Sequence, residues 1–102
     1  MAEPMSPATK ELGRRIRDWR MGQGLTQEEL AGGSGVDATT IGKIERGERN
    51  PNVHNLIRIA VALGVDPGDL LRKMDGDMVP PTEERPTPAE RFRDKTKRDR
   101  RR

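Results

Sequence analysis

Residues 25–47, LTQEELAGGSGVDATTIGKIERG, place three glycines between two short stretches whose apolar residues recur at helical spacing, as Ile41 and Ile44 do after the glycines. A phosphate-binding glycine loop would follow a strand and end in Gly-Lys-Ser/Thr, or contain G-x-G-x-x-G, and neither pattern is present. A plain linker is disfavoured because the apolar spacing continues on both sides. The stretch therefore predicts two helices that meet at a steep angle, with Gly35 where a positive φ is required.

Start and stop signals extend this pattern into an all-α chain. Leu12, Ile16 and Trp19 form one apolar stripe, which predicts a first helix over residues 9–23 that Gly24 ends. Caps and periodicity predict four more helices, over residues 27–32 behind Thr26, 38–46 behind Asp37, 53–63 behind Asn52 and 67–73 behind Asp66. No strand pattern or internal repeat accompanies them, so five helices are expected.

Composition bounds the remaining possibilities. A chain of 102 residues with 30% hydrophobic content supports one domain with a small core, and without cysteine it has neither disulfides nor a thiolate metal site. It has no run of about 20 apolar residues and no signal peptide. We therefore expect a soluble cytoplasmic protein with no membrane contact.

Charge and proline divide the chain into three parts. We predict a flexible N-terminus over residues 1–8, a folded domain over 9–74, and a disordered, Pro-rich and basic tail over 75–102. Residues 88–102 carry 8 Lys+Arg against 3 Asp+Glu, whereas residues 10–74 carry 11 against 9. The net charge of the folded part alone is thus a weak argument for nucleic-acid binding.

Four blocks of sequence occur in an order that identifies a family. These are RRIRDWR, GLTQEELA, IERGERNPN and LIRIAVALGV, and counting from Gln27 the helix-turn-helix positions five, nine, ten, fifteen and eighteen hold Ala31, Gly35, Val36, Ile41 and Ile44. Over residues 9–73 the chain resembles the phage-repressor and Cro-like family, also called the XRE family. The resemblance implies a repressor-like, five-helix DNA-binding domain whose third helix points its N-terminus toward DNA.

The resemblance also implies roles for individual residues. Base-reading roles fall on the third helix, at Ala38, Thr39, Thr40 and Lys43. Phosphate-binding roles fall on Gln27, Arg46, Arg49, Asn50 and Asn52. Arg20 and Glu45 match positions that form a buried structural ion pair between helices 1 and 3.

Each assignment has an ordinary alternative from the residues themselves. Lys43 could be a solvated charge or a phosphate contact, and Thr40 could bond its own helix backbone. Arg46 could simply be a favourable charge at a helix C-terminus, and the remaining polar residues could be turn and cap residues. Gly42 departs from the family pattern at an outward position of the third helix, where it removes a side chain that could read a base.

No catalytic or cofactor site is predicted. His54 is the single histidine and is expected at the surface, and no Ser/His/Asp set, carboxylate pair or metal-ligand spacing is persuasive. We expect a DNA-binding transcriptional regulator, not an enzyme, without cofactor or metal. It would bind a palindrome on double-stranded DNA as a homodimer. The candidate dimer face is Val61, Val65, Leu70 and Leu71, although a monomer would also bury some of these residues.

Within DNA binding, the short layout is similar to restriction-modification controller proteins. An alternative from another class is an antitoxin-type interaction protein, whose tail over residues 75–102 binds a protein partner while the domain autoregulates its operon. In a third interpretation residues 88–102 form a nonspecific nucleic-acid arm.

Overall fold

The computed structural model describes residues 3–81 and 88–89, and within them the chain is helical and has no strand. Five α-helices follow one another: α1 Pro7–Gly22, α2 Gln27–Ser34, α3 Ala38–Glu45, α4 Val53–Leu63 and α5 Pro67–Leu71. A short 3₁₀ helix, Gly76–Met78, comes after α5. The predicted five-helix, all-α fold is confirmed. The predicted disorder of residues 82–87 and 90–102 lies outside the described residues.

Local capping begins four of the helices where the sequence predicted. Thr26 and Glu29 form the reciprocal capping box of α2, in which Thr26 Oγ1 accepts from the Glu29 amide at 3.0 Å and Glu29 Oε1 accepts from the Thr26 amide at 2.9 Å. Three further side chains cap α3, α4 and α5, those of Asp37, Asn52 and Asp66. Because each cap satisfies amides that the helix leaves free, these boundaries follow from short stretches of sequence.

Two boundaries differ from the prediction. Helix α1 begins at Pro7, two residues before the predicted start at Thr9, because Ser6 is its cap. The Ser6 hydroxyl accepts from the Thr9 amide at 3.1 Å, and the Thr9 hydroxyl accepts from the Ser6 amide at 2.9 Å. Helix α2 continues to Ser34, past the predicted end at residue 32, because Gly35 is the residue that turns left-handed, at φ 74°.

The segment after α5 also departs from the prediction. Helix α5 ends at Leu71, before the predicted residue 73, and residues 75–81 were assigned to the disordered tail. The structure instead holds a 3₁₀ turn there, capped by the Asp75 side chain on the Asp77 amide at 3.0 Å. Val79 then lies in a groove beside Ser6, at the start of α1.

Ten buried apolar side chains join all five helices and the bend into one core. They are Leu12, Ile16, Leu30, Val36, Ile41, Ile44, Ile59, Ala60, Leu63 and Leu70. Leu70 is fully buried, so its predicted place on a dimer face is wrong, whereas Val61 and Leu71 of that face are exposed. Within the described residues no helix is long and apolar enough to cross a membrane.

Helices α1 and α3 cross where α1 has no side chain. A Cβ atom added to Gly13 would lie 2.3 Å from the Ile44 carbonyl oxygen and 2.5 Å from that of Glu45. Only glycine allows the two backbones this approach, which fixes the position of α3 against the domain.

Candidate nucleic-acid interface

Helices α2 and α3 enclose a groove at the surface. Residues 35–37 connect them, and the Val36 side chain inserts into the core while its amide donates to Ser34 Oγ at 3.2 Å. This turn holds the two helices at a fixed angle. Six residues line the groove: Gln27, Glu28, Ala38, Thr39, Gly42 and Arg46.

Three of the four predicted base-reading residues are accessible. Thr39 and Lys43 are exposed and lie four residues apart, which places them on one face of α3, and Ala38 is half-buried in the groove. Thr40 is different, because it is 8% exposed and its hydroxyl donates to Asp37 Oδ2 at 2.9 Å. Its predicted base-reading role does not fit this position.

The N-terminus of α3 is already capped by a carboxylate. Asp37 Oδ1 accepts from the Thr40 amide at 2.8 Å. Hydrogen bonds from the Thr40 amide and hydroxyl lower the pKa of Asp37, with a smaller contribution from the charge of Arg49. Asp37 is therefore already occupied as the cap of α3.

A buried ion pair supports this surface from beneath. Arg20 Nε donates to Glu45 Oε2 at 2.6 Å and Arg20 Nη2 donates to Glu45 Oε1 at 2.9 Å, while Arg20 Nη1 donates to the Leu25 carbonyl at 2.7 Å. The Arg20 side chain is 11% exposed and that of Glu45 is 2% exposed. The hydrogen bond to Glu45 raises the pKa of Arg20. The structure thus brings together the two residues of the expected pair.

The same carboxylate orients Gln27. The Gln27 amide Nε2 donates to Glu45 Oε1 at 3.1 Å, so that the first residue of α2 is tied to the last residue of α3. The resemblance predicted Gln27 and Glu45 separately. Their hydrogen bond was missed, because it connects residues 18 positions apart and no local pattern carries it.

The predicted phosphate-binding residues do not form one cluster. Gln27 and Arg46 line the same groove, and Arg46 is exposed and ion-paired to Glu48. Asn52 Oδ1 caps α4 by accepting from the Asn55 amide at 2.8 Å, as its ordinary alternative predicted. The remaining one, Asn50, is exposed but lines the groove that contains Ser6 and Val79.

Two features of the groove do not follow from the sequence pattern. Glu28 is an exposed carboxylate in the groove, a position that its place in the first turn of α2 could have indicated. Gly42 lies on the outward side of α3, where the sequence predicts it, but it is buried. The side chains of Gln27 and Arg46 lie within van der Waals reach of where its Cβ atom would be.

Among the described residues, no three or more His, Cys, Asp or Glu side chains are grouped to hold a metal ion. The single histidine, His54, is exposed in the first turn of α4.

Comparison with known proteins decides the family. The model of the helix-turn-helix family matches residues 16–70, more than half of the chain. The chain belongs to the helix-turn-helix family. The match spans α2, the turn and α3, and the resemblance to the XRE, or Cro-like, family is confirmed.

Relatives of this helix-turn-helix protein include named regulators. It is 42% identical over 60 residues to the control protein C.BamHI of Bacillus amyloliquefaciens, covering 58% of this chain and 74% of that protein. The crystal structure of the restriction-modification controller protein C.AhdI from Aeromonas hydrophila matches at 40% identity and a TM-score of 0.60, covering 61% of this chain and 94% of that one. The crystal structure of the P22 c2 repressor in complex with a synthetic operator matches at 35% identity and a TM-score of 0.58, covering 62% of this chain and 96% of that one.

Proposed function

We propose that the protein is a sequence-specific, double-stranded DNA-binding transcriptional regulator. The observation that carries the proposal is the exposed face of α3, where Thr39 and Lys43 project beside the α2–α3 groove on a helix held by the Arg20–Glu45 pair. A helix fits the major groove of B-DNA, where a lysine reaches the O6 and N7 acceptors of guanine. The P22 c2 repressor, which matches the same fold, was crystallised with operator DNA.

This surface makes two kinds of DNA contact, to base edges and to phosphates. Lys43, Thr39 and Ala38 supply the base-reading side chains, while Gln27 and Arg46 bind phosphates and set the register of the helix on the duplex. Of the remaining predicted phosphate contacts, Arg49 is retained because it is an exposed cation four residues after the end of α3. This division assigns sequence discrimination to α3 and salt-dependent affinity to its flanks.

A second copy of the chain completes the binding unit. Val53, Ile57 and Val61 recur every fourth residue along α4, and all three are exposed, Val61 at 70%. An exposed apolar row of this kind marks an interaction surface, and a two-fold dimer would place two α3 helices at half-sites one DNA turn apart. Sedimentation of the free protein and of its DNA complex measures this stoichiometry.

Such a regulator acts in the cytoplasm on the nucleoid, by binding alone and without a catalytic step or cofactor. Its similarity to control proteins supports a role in restriction-modification control. A neighbouring pair of restriction and methylation genes would agree with this finer assignment.

Selection from random duplex DNA tests the proposal, with the full chain and its Lys43→Ala variant compared at two salt concentrations. We expect an inverted repeat to be enriched by the wild type and to lose a conserved base pair with Lys43→Ala. Arg72→Ala removes an exposed charge after α5 and is the matched control, which should select the wild-type repeat. Salt-driven binding without enrichment by the wild type would reject the proposal in favour of an interaction protein.

A further inference from the structure

Gly42 occupies the middle of a row that leads along α3 into the groove. Ala38, Gly42 and Arg46 are spaced by four residues and therefore lie on one face of the helix. Helical side chains lean toward the N-terminus. Arg46 accordingly extends back over Gly42, and its Nη1 lies 3.1 Å from where a Cβ atom on residue 42 would be.

The side chain of Gln27 closes over the same point from α2. Its Oε1 and Nε2 atoms lie 3.4 and 3.7 Å from the position of that Cβ atom. Gly42 is buried for this reason, although it lies on the accessible side of α3. A contact of 3.1 Å is tighter than most Cβ contacts, so an added Cβ atom would shift the Arg46 guanidinium by a few tenths of an ångström, and a longer side chain at residue 42 would displace it further.

Hydrogen-bond donors are left over at this point, beside the Gln27 Oε1 acceptor. Gln27 Nε2 uses one of its two hydrogens for Glu45, and Arg46 uses Nε for Glu48. The second Gln27 hydrogen and the Arg46 Nη groups make no other side-chain hydrogen bond among the described residues, and both residues line the groove. A guanidinium and an amide side by side fit the oxygens of one phosphate, which accepts charge-assisted hydrogen bonds at any base sequence.

We propose that Gly42 is a positioning residue: its bare backbone seats the Arg46 guanidinium beside the Gln27 amide, so that the two side chains bind a single DNA phosphate. This inference rests on the proposed function and adds a role for a residue that contributes no side chain of its own. It also explains how a helix can lack a side chain at this position and still gain contact with DNA.

Two pairs of variants test whether the space above the Gly42 backbone, here called the seat, positions the Arg46 guanidinium. Gly42→Leu fills it and Gly42→Ala narrows it, while Gly32→Leu and Gly32→Ala are matched controls on α2, where an added Cβ atom meets no described atom within 4 Å. Replacing glycine within a helix favours folding. We therefore expect both alanine variants to raise the melting temperature, and only the residue 42 variants to weaken DNA binding.

The measured quantity is the salt dependence of binding to the selected repeat and to a scrambled duplex. Loss of one phosphate contact lowers the slope of log K against log salt by about 0.9, which is about eightfold in affinity per half-site at 0.1 M salt. We expect Gly42→Leu to show this loss on both duplexes and Gly42→Ala a smaller one. Arg46→Ala should match Gly42→Leu, and combining the two should cost little more.

Three results would overturn the proposed role of Gly42. They are residue 42 variants that bind DNA like the Gly32 controls, losses of affinity that add in the double variant, or a loss of affinity confined to particular base pairs. The last result would make Arg46 a base-reading residue. A failure of the proposed function can be distinguished from a failure of this inference. The proposed function fails if the wild type selects no preferred repeat, whereas the salt slope that tests Gly42 can still be measured on a scrambled duplex.

Discussion

Replacing Arg20 with methionine should remove a large part of the stability of the domain. The guanidinium is 11% exposed and makes three hydrogen bonds of 2.6–2.9 Å, two to the Glu45 carboxylate and one to the Leu25 carbonyl. Methionine preserves the apolar stem and the helix propensity of the side chain. What it removes is the charge opposite a carboxylate that is 2% exposed.

The loss of unfolding free energy follows from the Glu45 carboxylate that stays buried when Arg20 is replaced. In the Arg20→Met variant the Glu45 carboxylate keeps only the Gln27 amide as a side-chain partner, at 3.1 Å. Removing one partner of a buried ion pair costs about 3–5 kcal/mol, because the other charge stays desolvated. Small domains have a total stability of about 5–15 kcal/mol, so Arg20→Met should be only marginally folded at 37 °C. Replacing both residues, as Arg20→Met with Glu45→Met, should recover most of the loss.

Urea unfolding followed by circular dichroism measures these differences. Arg14→Met is the matched control on the same helix, since Arg14 forms ion pairs of 2.7 and 2.6 Å with Glu11 and Asp18 but is 58% exposed. Exposed pairs contribute little, and we expect this variant to unfold near the wild-type midpoint. A loss below about 1 kcal/mol for Arg20→Met, or a double variant less stable than the single one, would refute the desolvation argument.

Two further predictions concern packing and pH. Gly13→Ala forces a Cβ atom to 2.3 Å from the Ile44 carbonyl oxygen and should cost at least about 1–3 kcal/mol in urea unfolding, whereas Gly22→Ala meets no described atom within 4 Å and should not destabilise α1. The hydrogen bond from Arg14 is the main cause that lowers the pKa of Glu11 from its ordinary 4.5 to about 2. Since the folded pKa is depressed, the contribution of Glu11 is complete above pH 4.5 and is lost as the pH falls toward 2. Because Arg14 is 58% exposed, solvent screening keeps this contribution small, in line with the Arg14→Met control. The small difference in melting temperature between wild type and Glu11→Gln above pH 4.5 should therefore vanish as the pH falls toward 2, and a difference that stays constant would contradict the assignment.

Local signals explain why much of this fold could be predicted. The caps at Thr26, Asp37 and Asn52 satisfy backbone amides within three residues, so the starts of α2, α3 and α4 need no tertiary information. The start of α1 was predicted too late because Thr9 takes the place that Glu or Gln usually has in a capping box, opposite Ser6.

Features that depend on contacts between helices could not be predicted in the same way. The burial of Gly42 results from side chains that begin on α2 and at the end of α3, and the close approach at Gly13 results from the backbone of α3. Thr40 was named as base-reading from its family position. Its hydroxyl instead donates to the Asp37 carboxylate. The positions of residues on the helical face do not distinguish this contact from a contact with DNA.

In the proposed function, α3 discriminates base sequence while its flanks bind phosphate. The most direct test of this claim is the ratio of Kd values for a scrambled duplex and for the selected repeat, measured at several salt concentrations with wild type and Lys43→Ala. We predict that Lys43→Ala lowers the free energy of discrimination, which this ratio measures, by about 1–3 kcal/mol per half-site. The affinity for the scrambled duplex should stay nearly unchanged. A ratio that Lys43→Ala does not alter, with a lower salt slope on both duplexes, would show that Lys43 is a phosphate contact and would contradict the claim.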